Sequence, residues 1–210
     1  VIDIEEFTRS SLMMNLRIET LDDFLPEPLK YREEACKQPY YEIRGPDGVS
    51  YRNINVRPSE EFAELLSARL GKKVKCGYSL LRVNYAGELP NHAVHTDNGY
   101  DDFAAVLYLS RPEDCVGGTA FWKHKQYGWT HWPDEAAMRR TCKKPEKIIS
   151  QLQRDANDES AWEQTYLAEM KFNRMIVYPT DQFHSRFPFP AFGFTPETAR
   201  LIWVSFFSVV

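Results

Sequence analysis

From Lys75 to the end, the chain is written in short runs of aromatic, leucine and β-branched residues closed off by Gly, Pro, Asn or Asp: KCGYSLLRVNYAG, DDFAAVLYLS, GGTAFWKH, FNRMIVYP and ARLIWVSFFSVV. Runs of this length and composition suit strands with at least one face buried, and they are too short and too often interrupted for helices. Several such strands in one chain must pack sheet on sheet or close on themselves to hide their apolar faces, so a sandwich or barrel is the expected core. At 210 residues the chain has the length of one such domain with an elaboration, enough to enclose a pocket.

The first third reads differently. In TLDDFLPEPLKYREEACKQP, Asp22 and Asp23 precede a mixed apolar and charged run that ends at Pro39, which predicts a capped helix after Pro26. YYEIR and SYRNINV flank Gly45-Pro46-Asp47-Gly48, a turn signal that predicts a hairpin. Ser59 is placed to cap a helix over EEFAELLSARL, whose Phe62, Leu65, Leu66 and Leu70 share one face and whose stop is Gly71. That face should pack on a sheet. Residues 125–170 hold Trp129, Trp132 and Trp162 and the helix-like runs DEAAMRR, PEKIISQLQR and ESAWEQTYLAEM, and they read as a helical insertion. The expectation is one α+β domain, 1–210. Residues 1–74 supply N-terminal helices and a hairpin that support the sheet, and 75–210 form the strand core with its insertion at about 125–170.

Composition excludes several partners. The net charge is only -4, and the basic cluster Arg139, Arg140, Lys143, Lys144 and Lys147 is nearly cancelled by acidic neighbours, so a solvated helix face is expected there and no nucleic-acid partner. The four cysteines form no C-x-x-C pair and read as free thiols in a reducing compartment. The opening VIDIEEFTRSSLMMNLRIET breaks its apolar residues with charges before a signal-peptide core could form, and no stretch approaches a spanning helix. A cytoplasmic protein without membrane contact is the expectation. The sequence says nothing of oligomeric state.

The chemistry concentrates in NHAVHTDNGY, residues 91–100. Pro90 and Asn98-Gly99 argue against a helix here, so the backbone should be extended. In a strand, residues i and i+2 point the same way, which pairs His95 with Asp97 and sends His92 to the other face. An imidazole nitrogen and a carboxylate oxygen held side by side can fill two corners of an octahedral divalent metal. The pair alone is weak: five histidines and 12 aspartates in 210 residues give about 0.3 chance H-x-D pairs. His124 and His131 lie in or beside the insertion. His184 follows the strand-like RMIVYP and the turn TDQ, where a core strand would deliver a side chain to the mouth of a barrel.

Taken in order, RVNYAG, HTD, AAVLYLS, GGTAF, VYPTDQFHS and TARLIWVSFF resemble the Fe(II)- and 2-oxoglutarate-dependent dioxygenases, in particular the branch that looks like prolyl 4-hydroxylases. The resemblance covers roughly Lys75 to Phe207, and more loosely LDDFLPEPL. It implies an α+β fold with a double-stranded β-helix core of jelly-roll or cupin-like type, N-terminal helices and a helical insertion. It implies His95, Asp97 and His184 as metal ligands and catalytic centre. It also implies Arg200 as the cation for the C5 carboxylate of 2-oxoglutarate, with Arg186 as runner-up because FPFPAFGFTPET lengthens the spacing between His184 and Arg200. Many relatives carry a polar residue two positions after the basic one; here Ile202 stands there. Tyr85 matches the family's tyrosine ten residues before the first ligand and would donate its hydroxyl to the same carboxylate.

The implied cofactors are Fe(II) and 2-oxoglutarate, with ascorbate as reductant. The implied reaction is hydroxylation of an unactivated C–H bond in a small molecule, amino acid or peptide residue by O2, with release of succinate and CO2. Asp97 fills the corner that halogenating relatives leave to chloride, which favours hydroxylation, while desaturation and ring closure share its first step. The tryptophans of the insertion are expected either to wall the pocket or to pack as a stabilising layer on the sheet, and Arg82, Asn98, Tyr100 and Trp122 to stand near the pocket. The alternative function is a non-catalytic cupin-like module that binds a metal or ligand.

Overall fold

The computed structural model describes residues 18–45, 48–88, 90 and 93–210. The opening stretch read above for a signal peptide lies almost wholly outside them, as do Asn91 and His92.

Strand β1 (Glu19–Leu21) leads to helix α1 (Pro28–Cys36), which is followed by the hairpin of β2 (Tyr41–Arg44) and β3 (Ser50–Val56). The hairpin is the expected one, closed at Arg44↔Ser50. Helix α1 starts with proline in its first turn, but no side chain caps it. Asp22 is engaged elsewhere: it accepts two hydrogen bonds from Arg174, at 2.6 and 3.0 Å, and one from Lys171 at 2.9 Å. This ion pair holds Asp22 well below the usual carboxylate range and fastens β1 to the strand beside it.

Helix α2 (Ser59–Leu70) ends at Gly71 in a left-handed conformation, as expected, but Ser59 is its first helical residue and makes no cap hydrogen bond. Its fully buried Phe62 and Leu66 lie against β4 (Val74–Asn84). Burial of each stabilises the domain by about 2 kcal/mol. Phe62 meets Trp203 edge-on at 5.1 Å, and Tyr31 of α1 lies on the same indole at 6.0 Å.

The remaining elements are β5 (Phe103–Tyr108), β6 (Gly118–His124), α3 (Glu135–Arg140), α4 (Pro145–Asp155), β7 (Trp162–Glu169), β8 (Met175–Pro179), β9 (His184–Phe187) and β10 (Arg200–Val209). They build a seven-stranded sheet, β1-β8-β5-β10-β4-β3-β2, facing a three-stranded sheet, β7-β6-β9, with antiparallel pairing throughout. Between the sheets lie Val106, Tyr108, Ile176, Tyr178, Ile202 and Phe121. The other face of the large sheet, with Leu81, Val83 and Trp203, is covered by α1 and α2.

One expectation fails in the insertion, and of the two alternatives for its tryptophans the packed layer is the one found. ESAWEQTYLAEM is not helical: Trp162–Glu169 pairs with β6 from His124↔Trp162 to Gly118↔Glu169. The edge of β6 supplies backbone partners that outweigh the helical propensity of Glu, Gln, Leu and Ala, and Trp162, Thr165 and Tyr166 are themselves good strand formers. Nor do the tryptophans line the space between the sheets. Trp129, Trp132 and Trp162 pack with Trp122, Phe183, Ile148 and Leu152 on the outer face of the small sheet, so Trp122 also faces away from the pocket.

The GGTAF turn is explained by crowding. A Cβ on Gly118 would overlap the Ala168 carbonyl, and one on Gly117 would overlap the Phe187 carbonyl. Both flanking strands therefore approach β6 because these side chains are absent. Gly118→Ala is expected to cost about 3 kcal/mol, read from the urea midpoint; a loss below about 0.5 kcal/mol would contradict this packing.

Candidate metal centre

The segment carrying His95 and Asp97 is extended, as its sequence predicts. His95 and His184 exchange both backbone hydrogen bonds, at 3.0 and 2.9 Å, so the segment runs antiparallel beside β9. One step further, the Asp97 N–H donates to the Thr180 carbonyl at 2.7 Å. Strand parity then points both side chains into the space between the sheets.

Each imidazole is oriented in the same way. Nδ1 of His95 lies 3.0 Å from the Ala93 carbonyl, and Nδ1 of His184 lies 2.9 Å from the Gln182 carbonyl. A carbonyl can only accept, so Nδ1 carries the proton in both rings, and in the neutral form each Nε2 presents its lone pair to the centre. His184 Nε2 stands 3.3 Å from one Asp97 oxygen and His95 Nε2 stands 3.8 Å from the other. The three ligand atoms lie within 4.8 Å of one another; among the described residues no other trio of His, Cys, Asp or Glu comes so close.

Crowding by the surrounding protein, with His184 adding to the effect, lowers the His95 imidazole from its ordinary value, although the open side of the ring tempers that shift. Burial opposes ionisation of Asp97, but the two imidazoles and Arg82 outweigh it and hold the carboxyl below its ordinary value. His184 moves the other way: Asp97 overcomes the cost of its burial and raises it. The arrangement is an ionised carboxylate between two imidazoles, one side open where His95 is 43% exposed. Two nitrogens and one oxygen on one face suit a divalent first-row metal and leave its other positions free.

Across the interior three arginines gather. Arg200, opposite Asn84 in the β4–β10 ladder, is 6% exposed and donates to the Asn84 side-chain oxygen at 3.1 Å. Its Nε is buried with no hydrogen-bond partner among the described residues, and its guanidinium lies 6.0 Å from the Tyr108 ring. Arg186 is occupied: it donates to the Phe189 carbonyl at 2.6 Å and to the Glu88 carbonyl. Burial, then the neighbouring Arg200, pushes Arg186 down to about 10. Arg82 faces the same interior from β4, opposite Ile202.

Tyr85 does not join them. It packs with the helix-side cluster, where Leu81 and Val83 of the same strand also point. Alternation along LRVNY explains the correction, because the face opposite Tyr85 belongs to Arg82 and Asn84, and Asn84 is the residue that meets Arg200. Tyr100 stacks on Phe206 at 4.2 Å at the rim of the interior, and Asn98 is exposed. Glu88 was not singled out in the sequence, yet it stands near Arg82 at 3.6 Å and Arg186 at 4.0 Å.

The insertion reaches the site from behind. The Ala156 carbonyl, just past α4, accepts from Val94 N–H at 2.9 Å, and the Asn157 side-chain oxygen accepts from Ala93 N–H at 2.7 Å. Buried His124 ties α4 to β6 through Asp155 at 3.0 Å. Thr130 accepts from Phe183 N–H at 2.9 Å, one residue before His184.

Residues 9–207 match the family described as "Family of unknown function (DUF6445)". The chain belongs to that family. No curated protein matches it. Among solved structures, this DUF6445 chain is similar to AviO1 from Streptomyces viridochromogenes Tue57, with TM-score 0.51 and 13% identity over 95% of this chain and 94% of that one. It is similar to SnoN, described as a non-heme alpha ketoglutarate dependent epimerase from nogalamycin biosynthesis, at TM-score 0.54 and 12% identity over 96% and 79% of the two chains. A prolyl hydroxylase from Trichoplax adhaerens, solved with a hypoxia inducible factor peptide, gives TM-score 0.54 and 9% identity over 97% and 89%. At these identities the likeness establishes the fold. The DUF6445 chain has an α+β fold with a jelly-roll-like core of two facing antiparallel sheets and N-terminal helices, and no helix among its described residues is long and apolar enough to cross a membrane.

Removing one donor from the trio should be felt directly by a metal. Asp97→Ala and His184→Ala are each expected to weaken Mn(II) binding to the folded protein by at least about 100-fold in calorimetric titration. Unchanged affinity in both would mean that the metal binds elsewhere.

Proposed function

We propose that this DUF6445 chain is an Fe(II)- and 2-oxoglutarate-dependent oxygenase of the prolyl 4-hydroxylase-like branch. In this reading His95, Asp97 and His184 hold the iron and Arg200 holds the C5 carboxylate of the cosubstrate. The observation that carries it is the pairing of two features across one interior: three converging donors whose imidazoles each bind a backbone carbonyl through Nδ1 and turn Nε2 to the centre, and a deeply buried guanidinium whose Nε has no partner among the described residues.

The residues present suit both groups. A buried arginine left with a free N–H is costly unless an anion completes it, and a carboxylate can take two parallel hydrogen bonds from a guanidinium. Arg200 has that free capacity at Nε, whereas Arg186 already directs its Nε to the Phe189 carbonyl and one Nη to the Glu88 carbonyl. Bound together, iron and 2-oxoglutarate supply O2-dependent decarboxylation to succinate and CO2, coupled to oxidation of a substrate C–H bond. The protein's part is positional. Asp97 and the two Nε2 atoms keep the metal on one face, Asn84 aims Arg200 along the interior, and Phe121, Ile176 and Ile202 exclude water between the two polar ends. Hydroxylation of a small molecule or amino-acid residue is the outcome we assign. The same scaffold carries the SnoN epimerase, so the fate of the substrate rests on what the pocket presents.

The test is anaerobic addition of Fe(II) and then 2-oxoglutarate to the folded protein, watching for the weak visible charge-transfer band of the chelate. Wild type should show the band and Asp97→Ala should not. Arg200→Ala should need about tenfold or more 2-oxoglutarate to reach it, whereas Arg186→Lys should change that concentration little. A folded wild type with no band, or a band that forms equally well without Arg200, would overturn the assignment.

A further inference from the structure

Arg82 is the arginine of this cluster to which neither the iron nor the cosubstrate gives a partner. It projects into the interior from β4 opposite Ile202, one pleat closer to the metal centre than the Asn84–Arg200 pair. Its Nε is buried without a hydrogen-bond partner among the described residues. Its nearest carboxylate, Glu88, stands 3.6 Å away, and Glu88 already accepts from the Asn84 side chain at 3.2 Å and from Tyr85 N–H at 3.2 Å, and faces Arg186 at 4.0 Å. The Tyr51 ring, 5.8 Å from its guanidinium, offers only a weak cation–π contact. The Arg82 side chain is 30% exposed while Arg200 is 6% exposed, so the first is open to a ligand that the second is too deep to meet.

Charge balance sharpens the point. On the reading given above, a divalent iron and the Asp97 carboxylate leave one positive charge, which the C1 carboxylate of the cosubstrate neutralises. Arg200 is neutralised by the C5 carboxylate, and Glu88 balances one of its two remaining arginine neighbours. One guanidinium charge persists in the loaded site, and an unpaired charge in a partly dry pocket is unfavourable until a counter-charge arrives. A carboxylate supplies one negative charge and a planar pair of acceptors that match a guanidinium; a phosphate monoester brings nearly two charges and would overcompensate.

We propose that Arg82 anchors the substrate that is oxidised, and that this substrate is a small carboxylic acid. The proposal rests on the oxygenase reading but fails separately from it. The test uses the Fe(II)- and 2-oxoglutarate-loaded protein with two probe sets, the twenty proteinogenic amino acids and the corresponding carboxamides, and measures succinate release above the substrate-free rate. At least one acid should stimulate release at concentrations about tenfold lower than its amide. Arg82→Gln should remove that preference, and Arg82→Lys should restore part of it. In Arg82→Gln the 2-oxoglutarate concentration at half-maximal charge-transfer band should move by less than about twofold, since a residue of the cosubstrate site would shift it tenfold or more. The inference is overturned if acids and amides act alike, if neither set stimulates release, or if Arg82→Gln weakens 2-oxoglutarate itself. Absence of the charge-transfer band in wild type would instead remove the oxygenase reading.

Discussion

The site rests on the reciprocal backbone hydrogen bonds between His95 and His184. Two ligand-bearing segments separated by nearly ninety residues of chain are held there in one register, and because side chains in extended backbone alternate, that register decides which way His95, Asp97 and His184 point. A slip of one residue would turn Asp97 outward and put Thr96 in its place. The local carbonyls of Ala93 and Gln182 then fix each imidazole, so orientation of the donors belongs to the same short stretch of backbone that brings them together.

What surrounds that bridge makes it rigid. The insertion stands behind it: Ala156 and Asn157 take the N–H groups of Val94 and Ala93, Thr130 takes that of Phe183, and the His124–Asp155 pair anchors α4 to the small sheet. The three tryptophans of the insertion, expected either at the pocket or as a layer packed on the sheet, are therefore part of a buttress on the outer face. In front, Tyr178 and Phe121 lie against His184, and further along the interior the Tyr108 ring lies beside the buried Arg200.

Much of this was legible in the residues. H-x-D in a segment that cannot be helical gives the parity of His95 and Asp97, and the apolar strand before His184 marks it as the third donor. Strands β4, β5, β6, β8 and β10 follow from short runs between turn residues. What was not legible depended on partners distant in sequence. Trp162–Glu169 is a strand because β6 offers it an edge, which composition does not reveal. The family resemblance implied Tyr85 at the cosubstrate carboxylate, but Leu81 and Val83 face the helices and Tyr85 packs with them. The clustering of Arg82, Glu88, Arg186 and Arg200 needs the register of β4 against β10 and the path of the loop after β9, neither of which the sequence prints.

On the proposed reading, His95, Asp97 and His184 share one iron. Crystals of the protein grown anaerobically with Fe(II) and measured at the iron absorption edge decide this. A single anomalous peak bonded to Nε2 of His95, Nε2 of His184 and a carboxylate oxygen of Asp97 is expected. Iron bound at another cluster, or a peak held by only one of these residues, would contradict it.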